Sequence, residues 1–544
     1  DGNPLFATEI INNCVQRDLL TREPTGFRLQ DDTELPIPES LKDIWWSRVE
    51  NVLEPFSQEE LAALEIAAAI GRDVDEWEWR EACRSAGVQP SWEFVDVLCR
   101  QNLASRNKGG WLFAHPMLRE AVEHHARLNG NWREANLACL TVLEQYDEAA
   151  KAASSSRLAR YALKAEQPAR AIEPLLAALD HSAHVGAIDA YTHLLAQLRS
   201  AIEASEVSEE DPRYAAFKAK EGRQLMATQQ RDGQADKCFS TALHLAERHA
   251  LPKTTAEALR GMGRLAHRQG EFQEAVSLYR QAIDSLEGSE STLLLVELYR
   301  SLGEALLRSG QSKEARTYFQ KGLDVSQHTP VARAKIIHEI GISYAFEERR
   351  TRAEREIRKA LRVFEEHGSL YGQGRSLNIL GDLAREEGKL EDAEDYYDRA
   401  AHIADLTKLT PLGFVFLSRA QLALEQGAFD VAETRLMRAR HEPQTQQFGF
   451  FRFTTHVFEA WCQAGLQNWE GVETALDAID RFPSQMGMTH PDLLAAFEAC
   501  FDLTAEAGRV EVADRFRIHL QNRQAAREQS QVSEATQEES ELAR

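Results

Sequence analysis

The 544-residue chain has no apolar run long enough to cross a membrane. Its most apolar stretches, such as "LAALEIAAAI" (61–70), fall far short of the roughly 20 residues a spanning helix needs. Cysteine is sparse: seven residues, Cys14, Cys83, Cys99, Cys139, Cys238, Cys462 and Cys500, none in CxxC or Cys/His ligand spacing. Buried free thiols in a reducing cytoplasm are therefore expected, rather than a disulfide framework or a zinc site. His181 and His184 lie three apart but lack a third ligand, so no metal site is expected. Positive charge is also short. Lys and Arg number 63 against 86 Asp and Glu, giving a net charge of -23 with no basic run, which argues against a nucleic-acid partner. The phosphate-cradling pattern GxxxxGK[ST] is missing, no apolar run ends in paired acids, and neither GxSxG nor HExxH occurs. No catalytic residues are expected, and the chain alone is not expected to hydrolyse ATP.

What is present is repetition. From about residue 206 one pattern recurs with a period near 40. "LRGMGRLAHRQGEFQEAVSLYRQAI" is followed by "YRSLGEALLRSGQSKEARTYFQKGL", "IHEIGISYAFEERRTRAEREIRKAL" and "LNILGDLAREEGKLEDAEDYYDRAA". A small residue sits on each first helix at Gly263, Gly303, Gly341, Gly381 and Ala420. A turn residue follows at Gly270, Gly310, Glu348, Gly388 and Gly427. Each second helix carries Ala275, Ala315, Ala353, Ala393 or Ala432, with Tyr279, Phe319, Ile357, Tyr397 or Leu436 one turn later. Small residues let antiparallel helices approach closely, and turn glycines permit positive φ at a helix end. The large residue is expected to fill the gap between neighbouring pairs. This pattern resembles the tetratricopeptide repeat, whose stacked helix pairs offer a concave surface to a protein partner or small ligand. Residues 157–180 read as a further helix pair, and the tail from 521 is polar without an apolar face. The segment "QQFGFFRFTTHVFEAW" is dense in aromatics. Phe448, Phe450, Phe451 and Phe453 are candidates for a ligand patch, with helix-packing core the blander reading.

The first 135 residues do not repeat. "GNPLFATEIINN" puts Pro4 at the first turn of a helix, and "IPESLKDIWWSRVENVL" reads as a second. "TGFRLQ" reads as a short strand pair or loop. "SQEELAALEIAAAIG" opens with a capping pattern at Ser57 and Glu60. Two more helices, a hairpin around Asn107–Gly110 and a helix opened by Pro116 complete a winged-helix order. Its third helix, "SWEFVDVLCRQN", carries Glu93 and Asp96 and only Arg100 in basic charge, so DNA reading is not expected.

Together these motifs resemble the signal-transduction ATPases, the group containing NB-ARC, NACHT and maltose-regulator proteins. "GNPLF" is similar to the GxP motif of their lid, whose proline packs on adenine. "FAHPMLREAV" is similar to the site of their Met-His-Asp motif, whose histidine meets the β-phosphate of ADP. Only His115 matches that triplet, since Ala114 and Pro116 replace its other two members. The resemblance implies that Pro4 and His115 bind nucleotide, and that ADP or ATP with Mg is held only if an ATPase core lies upstream, this chain being the C-terminal part of a longer protein. The expected fold is mainly all-α. A helical lid remainder spans 1–52, a winged-helix domain 53–135, connecting helices with a first repeat-like pair 136–205, a solenoid sensor 206–520 and a polar tail 521–544. The expected function is the regulatory half of a nucleotide switch in the cytoplasm. Its partners would be a protein or small ligand on the concave face, its own upstream ATPase or effector domain, and further copies of itself on activation. A binding scaffold without nucleotide, and a transcription regulator, are the alternatives.

Overall fold

The computed structural model describes residues 20–23, 26–29, 41–54, 56–185, 187–228, 232–286, 292–327, 329–406, 412–442, 449–482 and 490–525. The chain divides into two units, 1–209 and 210–544. In the first, β1 (Leu20–Glu23) pairs antiparallel with β2 (Gly26–Leu29), Leu20 opposite Leu29. Helix α1 (Leu41–Leu53) precedes α2 (Gln58–Ile70), whose start carries the capping box that the sequence predicts. Ser57 Oγ accepts the Glu59 amide at 3.1 Å, and the Ser57 amide donates to Glu60 Oε2 at 3.1 Å.

A short strand β3 (Asp73–Asp75) leads into α3 (Glu76–Ser85) and α4 (Trp92–Arg100), capped by Asp75 and Ser91. The expected hairpin is β4 (Ala104–Arg106) and β5 (Gly110–Phe113). The sequence reading missed β3, which is only three residues long. It pairs with β5 and makes the order β3-β5-β4, antiparallel throughout. Gly110 is required there, because a Cβ would lie 2.1 Å from the Val74 carbonyl oxygen. Trp79, Trp111, Phe94 and Phe113 fill the core, and the Trp79 indole N–H donates to the Ala63 carbonyl at 2.7 Å.

Helices α5 (Pro116–Leu128), α6 (Trp132–Leu143), α7 (Glu148–Ala153), α8 (Ser155–Lys164), α9 (Pro168–Val185) and α10 (Ile188–Ala204) complete the unit. Buried Glu78 on α3 accepts from Arg157 and from Tyr161 on α8, and Arg160 donates to the Ile70 carbonyl at 3.1 Å. These polar ties bind α8 to α2 and α3.

The second unit is a stack of helix pairs: α11 (Pro212–Thr228) with α12 (Asp232–Arg248), α13 (Pro252–Gln269) with α14 (Phe272–Asp284), and α15 (Thr292–Arg308) with α16 (Ser312–Val325). Then come α17 (Pro330–Phe346) with α18 (Arg350–Glu366), α19 (Leu370–Glu386) with α20 (Leu390–Leu406), and α21 (Phe414–Glu425) with α22 (Phe429–His441). Helices α23 (Gly449–Gly465) with α24 (Trp469–Ile479), α25 (Pro491–Glu506) and a helix over 510–525 follow. The five turn residues aligned in the sequence all have positive φ, from 58° at Glu348 to 88° at Gly270. The small residues explain the close helix approach. A Cβ on Gly263, Gly303, Gly341 or Gly381 would meet Tyr279, Phe319, Ile357 or Tyr397 at 2.4 to 2.7 Å. Here the expectation needs correction: the large residue fills the notch left by glycine within its own pair, not chiefly the gap between pairs.

Each first helix touches the next first helix as well as its partner. The first helices therefore form the tighter, inner layer of a curved array. The curvature is strong enough that α13 touches α23.

Candidate functional site

The inner layer carries charge where an apolar surface was equally open to it. Counting from the notch glycines, position -6 is Glu257, Glu297, Lys335 and Arg375. Position -3 is Arg260, Arg300, His338 and Asn378, and position +1 is Arg264, Glu304, Ile342 and Asp382. Helical spacing puts these three positions on one stripe, so successive first helices present them side by side. Ion pairs run from helix to helix along the stripe. Lys220 Nζ lies 2.7 Å from Glu257, Arg260 pairs with Glu297, and Glu339 pairs with Arg375 at 3.0 Å and Arg300 at 4.0 Å. Lys220, Arg223, Glu257, Arg260 and Arg264 line a small open depression with Ala219, Met226, Phe239 and Gly261.

Arg260, Arg264, Arg300, Lys335 and Arg375 share the four first helices α13, α15, α17 and α19 with Glu257, Glu297, Glu304, Glu339 and Asp382, and Lys220 and Arg223 join them from α11. Arg264 and Lys335 make no ion pair or hydrogen bond among the described residues. Enclosure by protein, reinforced by Arg260 and Arg223, pulls the Arg264 pKa down to about 10. Enclosure and the Arg300 cation lower that of Lys335. The carboxylates show the converse. Burial opposes the charge on Glu297, yet Arg260, Arg223 and Arg300 outweigh it and hold the carboxyl well below its usual range. His338 is buried beside Glu339 at 3.9 Å, and burial and Arg375 depress its pKa.

Farther along, the face turns acidic. Arg385 bridges Glu425 at 2.6 Å and Asp492 at 3.0 Å, tying α19 to α21 and α25. Tyr397 Oη donates to Asp382 at 2.6 Å, and burial raises the Asp382 pKa to about 7 against the pull of Arg385.

The residues singled out by sequence fall elsewhere. Pro4 and Phe448 lie outside the described residues. Phe453 is 1% exposed in the core, and Phe450 and Phe451 pack against that core. The rings of Phe451 and Phe414 stack at 6.2 Å, and Phe450 lies 5.6 Å from His490. The aromatic run thus packs helices. In the first unit, His115 is the N-cap of α5. Its Nδ1 accepts the Met117 amide at 3.1 Å, and its ring stacks on Trp45 at 5.2 Å, interplanar 9°. Trp46 stacks on His125 at 3.4 Å, so two histidines of one helix region clasp consecutive tryptophans of α1. The capping bond uses the Nδ1 lone pair, which puts the proton of the neutral ring on Nε2. On α4, Asp96 pairs with Arg106 of the hairpin at 2.6 Å.

Comparison with known proteins agrees with the helix-pair geometry. Residues 255–328 and 338–406 match the tetratricopeptide repeat family. The array is built of tetratricopeptide repeats. The mouse protein O-mannosyl-transferase TMTC2 is 31% identical over 88 residues, and the human one 30% over 88 residues. The match covers 16% of this chain, and the chain spans only 10% of the length of these curated relatives. Two solved structures share the fold. A Rap protein complexed with competence and sporulation factor gives a TM-score of 0.51 at 16% identity, covering 66% of this chain and 99% of that one. A signal-transduction ATPase with numerous domains and a tetratricopeptide repeat sensor, from Pyrococcus horikoshii, gives 0.50 at 14% identity, covering 89% of this chain and 68% of that one. No described helix is long and apolar enough to cross a membrane.

Proposed function

We propose that the repeat array is a scaffold that holds a segment of a protein partner on its inner face. The observation that carries this reading is the stripe of charged side chains of both signs repeated on successive first helices. A surface needed only for stacking would close with apolar residues, because ordering and desolvating charge is costly. The test is selection of binding peptides from a random library on the full chain, repeated on Arg300→Glu at the inner face and Arg355→Glu on α18, whose side chain is 71% exposed. Loss of the selected peptides with Arg300→Glu and retention with Arg355→Glu is expected. Equal retention by both overturns the reading.

A second reading concerns the first unit and rests on His115. The chain's likeness to the signal-transduction ATPases supports a role for this unit in retaining ADP with Mg, held against an ATPase core supplied by a longer gene product. Helices α2 to α4 with the hairpin support the winged-helix assignment. Bound ADP would bring phosphate charge, and His115 suits it: capping holds the ring, and Nε2 has no hydrogen-bond partner among the described residues. A charge-assisted hydrogen bond contributes about 1.5–3 kcal/mol. His115→Ala in the complete gene product should speed ADP release at least about tenfold. His115→Asn, which keeps a capping side chain, should do the same. Unchanged release in both variants would contradict this role.

A further inference from the structure

The first unit holds a second concentration of charge that neither reading above uses. We infer that α5 and α8 form a site for a dianionic phosphate group carried by a small molecule, bound by Arg119, Arg127, Arg160 and Lys164. Three of these cations share one carboxylate, Glu123. Arg119 Nη1 donates to it at 2.9 Å, Arg127 Nη2 donates at 2.8 Å, and Lys164 Nζ lies 3.6 Å away. Arg160 stands one turn from Lys164 on α8. The other groups that hold the four are neutral. Arg119 also donates to the Ala68 carbonyl at 3.3 Å and Arg160 to the Ile70 carbonyl at 3.1 Å, both at the C-terminal end of α2. The buried Trp132 ring lies 5.2 Å from Lys164 Nζ and 5.4 Å from Arg127 Cζ. Carbonyls and an aromatic face fix a cation in place while carrying only partial negative charge.

The charge left over selects the ligand. Arg157 of α8 is taken by Glu78, and Arg133 of α6 lies 3.9 Å from Glu166. Glu120 of α5 and Glu134 of α6 pair with none of the four cations among the described residues. Glu123 is thus the single carboxylate where the cations meet, in a chain whose net charge is -23. Burial opposes the charge on Glu123, yet Arg127, Lys164 and Arg119 hold its carboxyl below the usual range. Burial lowers the Lys164 pKa, and Arg160, Arg127 and Arg119 lower it further against the pull of Glu123. A phosphate dianion brings two charges and several acceptor oxygens to one point, which suits guanidinium forks meeting from two helices. A length of chain fits less well, because the cations are gathered at one spot and not strung along a groove. The spot is open to solvent, with the Arg127 and Lys164 side chains 51% and 31% exposed.

The experiment is isothermal titration of the full chain with inorganic phosphate, with chloride at matched ionic strength as the comparison. Phosphate should bind at one site per chain and raise the thermal midpoint, and chloride should do neither. Lys164→Glu and Arg127→Glu should each weaken phosphate at least about tenfold, with a milder loss in Lys164→Gln. Glu123→Gln removes the resident carboxylate, so it should destabilise the free protein yet bind phosphate about tenfold more tightly. Arg355→Glu on α18 should bind as the parent does. Absence of both heat and midpoint shift with phosphate, or binding unchanged by both charge reversals in chains of unchanged helicity, overturns the proposal. So does a Glu123→Gln protein that is less stable but binds no more tightly, the behaviour of a network that only ties α5 to α8. A phosphoserine peptide that binds more than about tenfold tighter than free phosphate assigns the site to a modified protein, and overturns a small-molecule ligand. Loss of binding in His115→Ala with retention in Lys164→Glu moves the phosphate to the site of the second reading, and overturns this one.

Discussion

Gly303→Ala tests the packing rule of the array. In most exposed helix positions this change stabilises by about 1 kcal/mol, because alanine is the better helix former. Here the new methyl would lie 2.4 Å from Phe319 Cε1, 2.7 Å from Cδ1 and 2.8 Å from Cζ. Carbon atoms prefer about 3.5–4.0 Å, so the ring must move by an ångström or more. Phe319 has nowhere to go, being fully buried in the main apolar cluster. Overpacking of this kind costs about 1–3 kcal/mol. The balance predicts net destabilisation of up to about 2 kcal/mol, and of about 1–3 kcal/mol relative to the same change at a glycine with open space around it. Gly233→Ala, whose Cβ meets nothing within 4 Å, is the control and should be neutral or slightly stabilising. Urea denaturation gives the size of the effect. Hydrogen exchange places it, with loss of protection centred on residues 292–325, since repeats couple mainly to their neighbours. The double variant Gly303→Ala/Phe319→Leu should be less destabilised than the sum of its parts by about 1 kcal/mol, as expected for residues in contact. Additive behaviour, or a Gly303→Ala protein as stable as Gly233→Ala, would refute the notch.

Three further outcomes are expected. Glu348 occupies a left-handed turn, φ 58°, where the aligned repeats carry glycine. Glu348→Gly should stabilise by about 0.5–1 kcal/mol, measured by urea midpoint, because relief of backbone strain exceeds the added freedom of the unfolded chain. Arg385→Leu leaves Glu425 and Asp492 without their shared cation and should cost about 2–3 kcal/mol, with exchange protection lost in both α19 and α25. Glu65 is 1% exposed, and burial raises its pKa from 4.5 to about 7 against the Asn131 hydrogen bond. Its folded pKa lies above the unfolded one, so its contribution is full below pH 4.5 and is lost as pH rises through 7, about 3 kcal/mol in all. His125, 3.7 Å away with a pKa lowered by burial, acts in the opposite sense as pH falls through 6.5. Glu65→Gln should therefore gain stability at pH 8 relative to pH 5, compared with the parent, by urea denaturation at the two pH values.

The repeats were legible because their constraints are local and recur. Gly303, Ala315 and Phe319 stand in a fixed order that few other folds demand, and their turn glycine follows from one φ value. The capping box at Ser57 and Glu60 was legible for the same reason. The inner-face site was harder to see. Its residues change identity from repeat to repeat, Arg264 to Glu304 to Ile342 to Asp382, and only alignment on the notch glycine shows that they share a stripe. Of the two readings offered for the aromatic segment, the packing one accounts for Phe450, Phe451 and Phe453, as hydrophobic bulk at helical spacing usually packs. His115 drew notice for its neighbours in sequence, but its stack on Trp45 joins residues 70 positions apart and no local pattern encodes it. Strand β3 escaped because three residues carry too little alternation to read.

The account stands or falls on whether a partner lies along the inner helices. A photo-crosslinking side chain placed at Lys335 on α17, and separately at Arg355 on α18, reads this directly with peptides selected on the full chain. The account predicts crosslinks from position 335 and none from 355. Crosslinks from 355 alone, or equally from both, would contradict it.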